Sequence, residues 1–310
     1  TDDGGSVLTL ADGKYIAANL KGQRLNVRKF GAIDDNATDN HSKLVNALAA
    51  KKSLYIPKGL NNYICQGTLE LESGHHIYSD GATLKRSSVI ASPIIKVVNK
   101  SGFQISGDLV LRGGGTASPS DDGEVGLQIE DCNRHKVSGV RADTIRGKGI
   151  FLTGTKTSNS YYGDRGQFTN MTATDSAIGI QIDIAGSEYN TWLNTNANGN
   201  GVGCLVAAGN NTFHGGNITE NQHGVKLIGG QNQAHGIFNG VQINHNSINN
   251  VWAEDVLLGE TFSDCHFYGE GTNGEGKILL INSQGIQFLG GVLACKVVSY
   301  ENTGLTEYNY

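Results

Sequence analysis

Four carboxylates in this chain stand at intervals that a coiled backbone could convert into reacting pairs: Asp175 with Glu220, and Glu130 with Asp183. Two opposed carboxyl groups suit hydrolysis of a glycosidic bond, one protonated as general acid and one ionised as nucleophile or base. A gap of about 5–5.5 Å gives retention and ~6.5–9.5 Å gives inversion. Phe168, Trp192 and Phe213 recur at steps of 24 and 21 residues, and counting on from each brings Asp175, Gly199 and Glu220 into one column. Matching NITEN to QINHN adds His245, placed to tune Glu220 or to act as a base. With ~4.8 Å between successive coils, Asp175 and Glu220 would lie ~9.6 Å apart across the small Gly199. A corner of merely solvated residues has the same composition, so the column reads either way.

Glu130 and Asp183 form a second outward column around Thr153, with Glu254 further along it. Gln128 and Gln181 beside them could hydrogen-bond sugar hydroxyls, and Phe151 and Trp252 could stack on a ring, although an outward Trp also suits a subunit contact. The longest insertion, 153–167, carries Tyr161, Tyr162, Asp164 and Arg165, a clamp for an acidic saccharide or a plain solvated loop. The other insertion, 112–124, reads as flexible, with Asp121, Asp122 and Glu124 as a charged tip. Proton abstraction from a uronic acid would instead need cations; Arg165, Lys226 and His245 are candidates, but no basic cluster falls in one column, so hydrolysis ranks ahead.

The elements that must hold these residues are repeats. GLQIED (126–131), GIFLTG (149–154), GIQIDI (179–184), GCLVAA (203–208), GVKLIG (224–229) and NVWAED (250–255) begin 23, 30, 24, 21 and 26 residues apart. A second series follows from 167, 191, 212 and 238. Short strands closed by Gly or Asn, which tolerate left-handed backbone angles, describe coils of a parallel β-helix. Alternation points Leu127, Ile150, Ile180, Cys204, Val225 and Val251 inward, with Ile129, Leu152, Ile182, Val206, Leu227 and Ala253. Leu205, Ile228 and Trp252 then face out, and so does Ala207. An antiparallel sandwich is the rival, but only the Asn-Gly pairs at 198, 239 and 273 suit hairpins. Upstream, 40–53 predicts a short capping helix with Leu44, Val45 and Leu48 on one face and Asp39 or Asn40 at its start.

Composition agrees with one long all-β domain: 44 Gly and only 3 Pro in 310 residues. A formal charge of −5 without a basic stripe argues against nucleic acid, and no apolar run suggests membrane insertion. Five scattered cysteines suit buried reduced thiols. There is no phosphate-binding Gly loop, no His-Glu-x-x-His and no CxxC, so neither a cofactor nor a metal is expected. The start TDDGGSVLTL lacks signal-peptide regions and Met, which suggests a trimmed chain made without secretion.

The stretch LNVRKFGAIDDNATDN, then the helix, then SLYIPKG, resembles the opening of the pectate-lyase-like β-helix family of phage tailspikes, polysaccharide lyases and epimerases. Phe30, Gly31, Ala32, Asp34, Asp35, Thr38, Asp39, Pro57 and Gly59 carry the match over roughly 25–73; Asn36 stands where glycine is usual. The resemblance implies a right-handed, single-stranded parallel β-helix with a short N-terminal capping α-helix. The implied divisions are an extension at 1–24, a cap at 25–60 and the β-helix at 61–310. In character the chain is closest to bacteriophage tailspike depolymerases. That implies a homotrimer on the virion tail, assembled in host cytoplasm and attached to tail or baseplate through its N-terminal side, that binds and hydrolyses a bacterial surface polysaccharide. A polysaccharide lyase and a non-enzymatic adhesin are the alternatives.

Overall fold

The structure, a computed structural model, describes residues 7–9, 15–17, 24–50, 52–115, 120, 123–154, 165–183, 187–229, 234–269, 276–300 and 308–309. Successive coils of a right-handed parallel β-helix each lay one strand on three faces. The long face holds ten parallel strands, from Leu69–Glu70 through Val125–Glu130, Lys148–Thr153, Ile178–Ile182, Val202–Val206, His223–Ile228 and Asn249–Glu254 to Val297–Tyr300. The second face takes Lys136–Ser138, Gln167–Thr169, Ile237–Asn239, Thr261–Ser263 and Gln287–Leu289. The third takes Val140–Asp143, Thr172–Thr174 and Gln242–Asn244, and the strands Thr191–Asn198 and Thr212–Thr219 bend across both. Among the described residues the only antiparallel pair is Val7–Thr9 with Tyr15–Ala17, which rules out the sandwich.

Period-two alternation sets the register. Leu127, Ile150, Ile180, Cys204, Val225 and Val251 fall in one column, as do Ile129, Leu152, Ile182, Val206, Leu227 and Ala253, and every one is buried. Ala207, expected outward, is buried as well, its short side chain covered by its surroundings. Inside the second face Phe168, Trp192, Phe213, Phe238, Phe262 and Phe288 stack coil on coil, with centroids 3.9 to 5.4 Å apart. Such pairs add ~0.5–1.5 kcal/mol each beyond the burial of their area. His135, buried between Phe103 and Phe168, extends the column, and burial holds its imidazole down at about 3. Four cysteines are buried free thiols and Cys295 is half-buried.

The capping helix spans His41–Ala50 and buries Leu44, Ala47 and Leu48, whereas Val45 is exposed. The expected face was wrong by one position, since Ala47 and Leu48 lie about 60° and 40° to either side of Leu44 on the 3.6-residue period and Val45 lies about 100° away. Asp39 Oδ1 accepts from the His41 and Gln66 amides, tying the helix start to the first coil. Asn40 is fully buried, donating to the Ile33, Thr38 and Ile64 carbonyls. Glu124 is no charged tip: it is fully buried, accepting from the Gly114 and Arg146 amides at 3.0 and 2.9 Å, and so closes the base of its insertion. Asp121 and Asp122 lie outside the described residues.

One carboxyl group in the interior has a measurable consequence. Glu260 precedes the core residue Phe262 by two positions, and its Oε2 is buried without a hydrogen-bond partner among the described residues. Burial pushes it up from the ordinary 4.5 to about 8, against a smaller lowering by the Gly236 amide. The folded chain therefore keeps a proton that the unfolded chain releases, so stability falls as pH rises from about 4.5 and levels off near 8. Glu260→Gln is expected to flatten this dependence, read by urea unfolding at pH values on either side of that window.

Candidate functional site at the third face

Four consecutive coils leave the third face through one residue in left-handed conformation, then turn an amide or hydroxyl inward. The outward residues are Asp175, Gly199, Glu220 and His245, with φ of +52°, +70°, +61° and +55°. The inward ones are Ser176, Asn200, Asn221 and Asn246. Asn200, Asn221 and Asn246 form a buried amide ladder in which each Oδ1 accepts from the amide group of the coil before it. Asn221 Oδ1 takes Asn200 N and Nδ2 at 2.9 and 3.0 Å, and Asn246 Oδ1 takes Asn221 N and Nδ2 at 3.0 Å. Asn221 Nδ2 also donates to the Ala197 and Thr219 carbonyls at 2.9 and 3.0 Å. The ladder satisfies backbone groups that a corner would otherwise bury unpaired.

The predicted column is therefore assembled: Thr174, Asn198, Thr219 and Asn244 are in register, and Asp175, Gly199, Glu220 and His245 follow them one by one. Asp175, Glu220 and His245 are exposed. Asp175 Oδ1 lies only 2.7 Å from where a Cβ on Gly199 would sit, so the carboxyl leans over the glycine toward the next coil, where Glu220 stands. Two coils of ~4.8 Å set the backbones of Asp175 and Glu220 ~9.6 Å apart, next to the ~6.5–9.5 Å range of an inverting pair. Gly199→Ala would have to displace that carboxyl and hold φ at +70°. It is expected to cost ~1–2 kcal/mol in urea unfolding.

Beside this corner runs a flat, uncharged surface. Thr172 and Thr174, Asn196 and Asn198, Asn217 and Thr219, then Gln242 point outward on four consecutive coils, while Asn244, in register with Thr219, is buried. They hold one another in place: Asn217 Nδ2 donates to Asn196 Oδ1 at 2.9 Å, and Thr219 Oγ1 to Asn198 Oδ1 at 3.1 Å. Amide and hydroxyl rows at ~4.8 Å intervals offer paired donors and acceptors along the helix axis.

The competing column on the long face is also assembled, and its groups already have partners. Glu130 faces Thr153, whose Oγ1 donates to Asp183 Oδ2 at 3.4 Å. Glu130 Oε2 takes Gln128 Nε2 at 3.1 Å and lies 3.6 Å from Lys96 Nζ. Phe151, Gln181, Leu205, Lys226 and Trp252 continue in register, as expected. Lys226 Nζ sits 3.7 Å over the Trp252 ring and 3.9 Å from Glu254, and Lys148 Nζ stands 5.4 Å from the Phe151 centroid. Both aromatics meant for a sugar thus carry a lysine of this chain. Arg165, exposed at φ +64°, sits at the entry to the second face in a column with Arg134. Tyr161 and Tyr162 lie outside the described residues.

The sequence places no basic cluster in one column, and the structure gathers three cations across two adjoining columns of the third face. Lys85 and Arg112 are partners on the third face, and Arg141 stands on the next coil beside Asp143, which faces Arg112. Arg112 and Lys85 precede the first aligned repeat, so stacking the later coils could not reveal them. The inward ladder had a readable signal, the recurring pairs Gly-Asn, Glu-Asn and His-Asn at 199, 220 and 245. Among the described residues no group of three or more His, Cys, Asp or Glu could hold a metal ion, and no helix is long and apolar enough to cross a membrane.

No protein-family profile matches the chain, and no curated protein does. Solved structures do. The full-length tailspike protein 2 of an Escherichia coli O157:H7 bacteriophage superposes with a TM-score of 0.70 at 14% identity, over 95% of this chain and 41% of that one. The N-terminal fragment of bacteriophage phi29 gene product 12 gives 0.65 at 15%, over 91% and 53%. The tailspike of an Acinetobacter baumannii bacteriophage, described as a capsular polysaccharide depolymerase, gives 0.61 at 13%, over 96% and 69%. The chain spans 41% to 53% of the first structures it matches. At such identities the likeness establishes the fold.

Proposed function

We propose that this chain is the glycan-processing β-helix of a phage tail protein, one that binds a bacterial surface polysaccharide along the third face and hydrolyses it at the Asp175–Glu220 corner. The observation that carries the reading is the carboxyl of Asp175 leaning over Gly199 toward the coil of Glu220, beside four coils of outward amides and hydroxyls. The amide rows orient a sugar chain parallel to the helix axis, one acid protonates the leaving oxygen, and the other activates water from the opposite side. His245, the next residue in the column, is placed to hold or pass a proton for Glu220. Glu130 and Asp183 serve the long face, where Lys96 pairs with Glu130 and Gln128 donates a hydrogen bond to it.

The tailspike neighbours support the phage setting, including a place on the virion tail. The long face, with half-buried Ile178, Val202, Leu205, Trp252 and Leu279 pointing outward, is where copies of the chain would meet in a homotrimer. The deciding experiment is incubation with capsular and O-antigen polysaccharides, followed by size exclusion and product mass. Shortened chains with one water gained per cut are expected. Cuts without added water would make the protein a lyase, and tight binding without shortening would make it an adhesin.

A further inference from the structure

The third face does not stay uncharged along its length. Before the amide rows begin, it presents Lys85, Arg112 and Arg141 on three consecutive coils, in register with Asn198, Asn196 and their neighbours further down. Asp143 is the one acid in this group among the described residues, and its side chain is nearly buried. Its Oδ2 accepts from Arg112 Nε and Nη2 at 2.9 and 2.7 Å, and its Oδ1 from Thr144 and Thr174 hydroxyls at 3.0 and 3.2 Å. Burial pushes the Asp143 carboxyl up, but the bonds and charge of Arg112 outweigh it and hold the group below its ordinary range. Asp143 is therefore spoken for by its own chain: it fixes the plane of the Arg112 guanidinium and leaves the remaining cationic surface to solvent. Arg141 is half exposed, its Nη2 3.9 Å from Asp143, and Lys85 has no carboxylate within ion-pair distance among the described residues.

We propose that this end of the face is a subsite for a carboxylate-bearing sugar, so that the polysaccharide is an acidic one whose uronic-acid-type unit docks on Arg141 and Arg112 while its neutral sugars run along the amide rows. Two guanidiniums, one braced by Asp143, match the planar, two-oxygen geometry of a carboxylate, and Lys85 adds a point charge. Arg141 lies four coils, ~19 Å, from Gln242, enough for several sugar rings on one straight surface. The uncharged rows lack the countercharges that a uniformly anionic chain would need. The fit is therefore to a repeating unit that mixes one acidic sugar with neutral ones.

This inference rests on the glycan reading, and its test separates the two. Affinity is measured by calorimetry for fragments of glucuronate-containing capsular polysaccharides, and for the same fragments after their carboxyl groups have been reduced to hydroxymethyl. Unreduced fragments are expected to bind ~10-fold or more tightly than reduced ones, the worth of a charge-assisted hydrogen bond. Arg141→Gln and Lys85→Gln, both at surface positions, should weaken binding of the unreduced fragments and leave the reduced ones unchanged. Equal affinity for the two forms, or binding confined to neutral O-antigens, would overturn the subsite and leave the glycan reading standing. No binding to any member of a capsular and O-antigen panel would overturn both.

Discussion

Glu220→Gln is expected to leave the fold and glycan affinity intact while lowering the rate of cleavage by ~10²–10⁴-fold, the usual worth of a positioned proton donor or acceptor. The side chain is exposed, and its backbone holds a left-handed φ of +61° in Glu and Gln alike, so the substitution removes a charge and a proton without disturbing the corner. Asp175→Asn should do the same. The double variant should be no slower than the worse single one by any large factor, since the two groups act in one event. Glu130→Gln is the control: its partners Gln128 and Lys96 mark it as part of the long face, and cleavage should persist. Product release followed by size exclusion gives all four rates, and persistence of full activity in Glu220→Gln would move the chemistry away from this corner.

Asn221→Ala, one residue on, should have the opposite profile. It removes three donated bonds, to Ala197, Thr219 and Asn246, and two accepted ones from Asn200. Buried backbone groups left without a partner cost ~1–3 kcal/mol each, so a loss of ~3 kcal/mol or more is expected in urea unfolding. Coils in a solenoid are coupled to their nearest neighbours, so the damage should reach the coils of Asn200 and Asn246 on either side. Adjacent positions thus divide the labour of the corner, Glu220 for chemistry and Asn221 for structure. Unfolding indistinguishable from the unsubstituted chain would mean that water replaces the amide at no cost.

The coil architecture was legible because period-two alternation and a repeat of 21 to 30 residues are independent signals that agree. Aligning Leu127 with Ile150 and Ile180, or Phe168 with Trp192 and Phe213, used only the sequence, and the backbone pairs them that way. The same alignment brought Asp175, Gly199 and Glu220 together. What it could not supply was the state of each outward group. Glu124 read as a surface charge, yet it ends in the interior, and the clasp of Asp143 by Arg112 had no signal, because insertions and irregular early coils break the period on which the inference depends. Phe151 and Trp252 were placed outward correctly, but the lysines over their rings come from neighbouring strand positions that composition does not couple.

The pairing of an outward variable residue with an inward asparagine also bears on how such a chain can change over generations. Asn200, Asn221 and Asn246 are separated by 21 and 25 residues, and every segment between two of them begins and ends on the same ladder. A duplication or loss of one whole segment would leave both cut ends on compatible partners, whereas an indel of a single residue inside a strand would turn its apolar column outward. Heritable variation is thereby channelled into steps of one coil. A duplication between Asp175 and Glu220 would separate the two acids by a further ~4.8 Å, and a deletion there would bring them one coil closer.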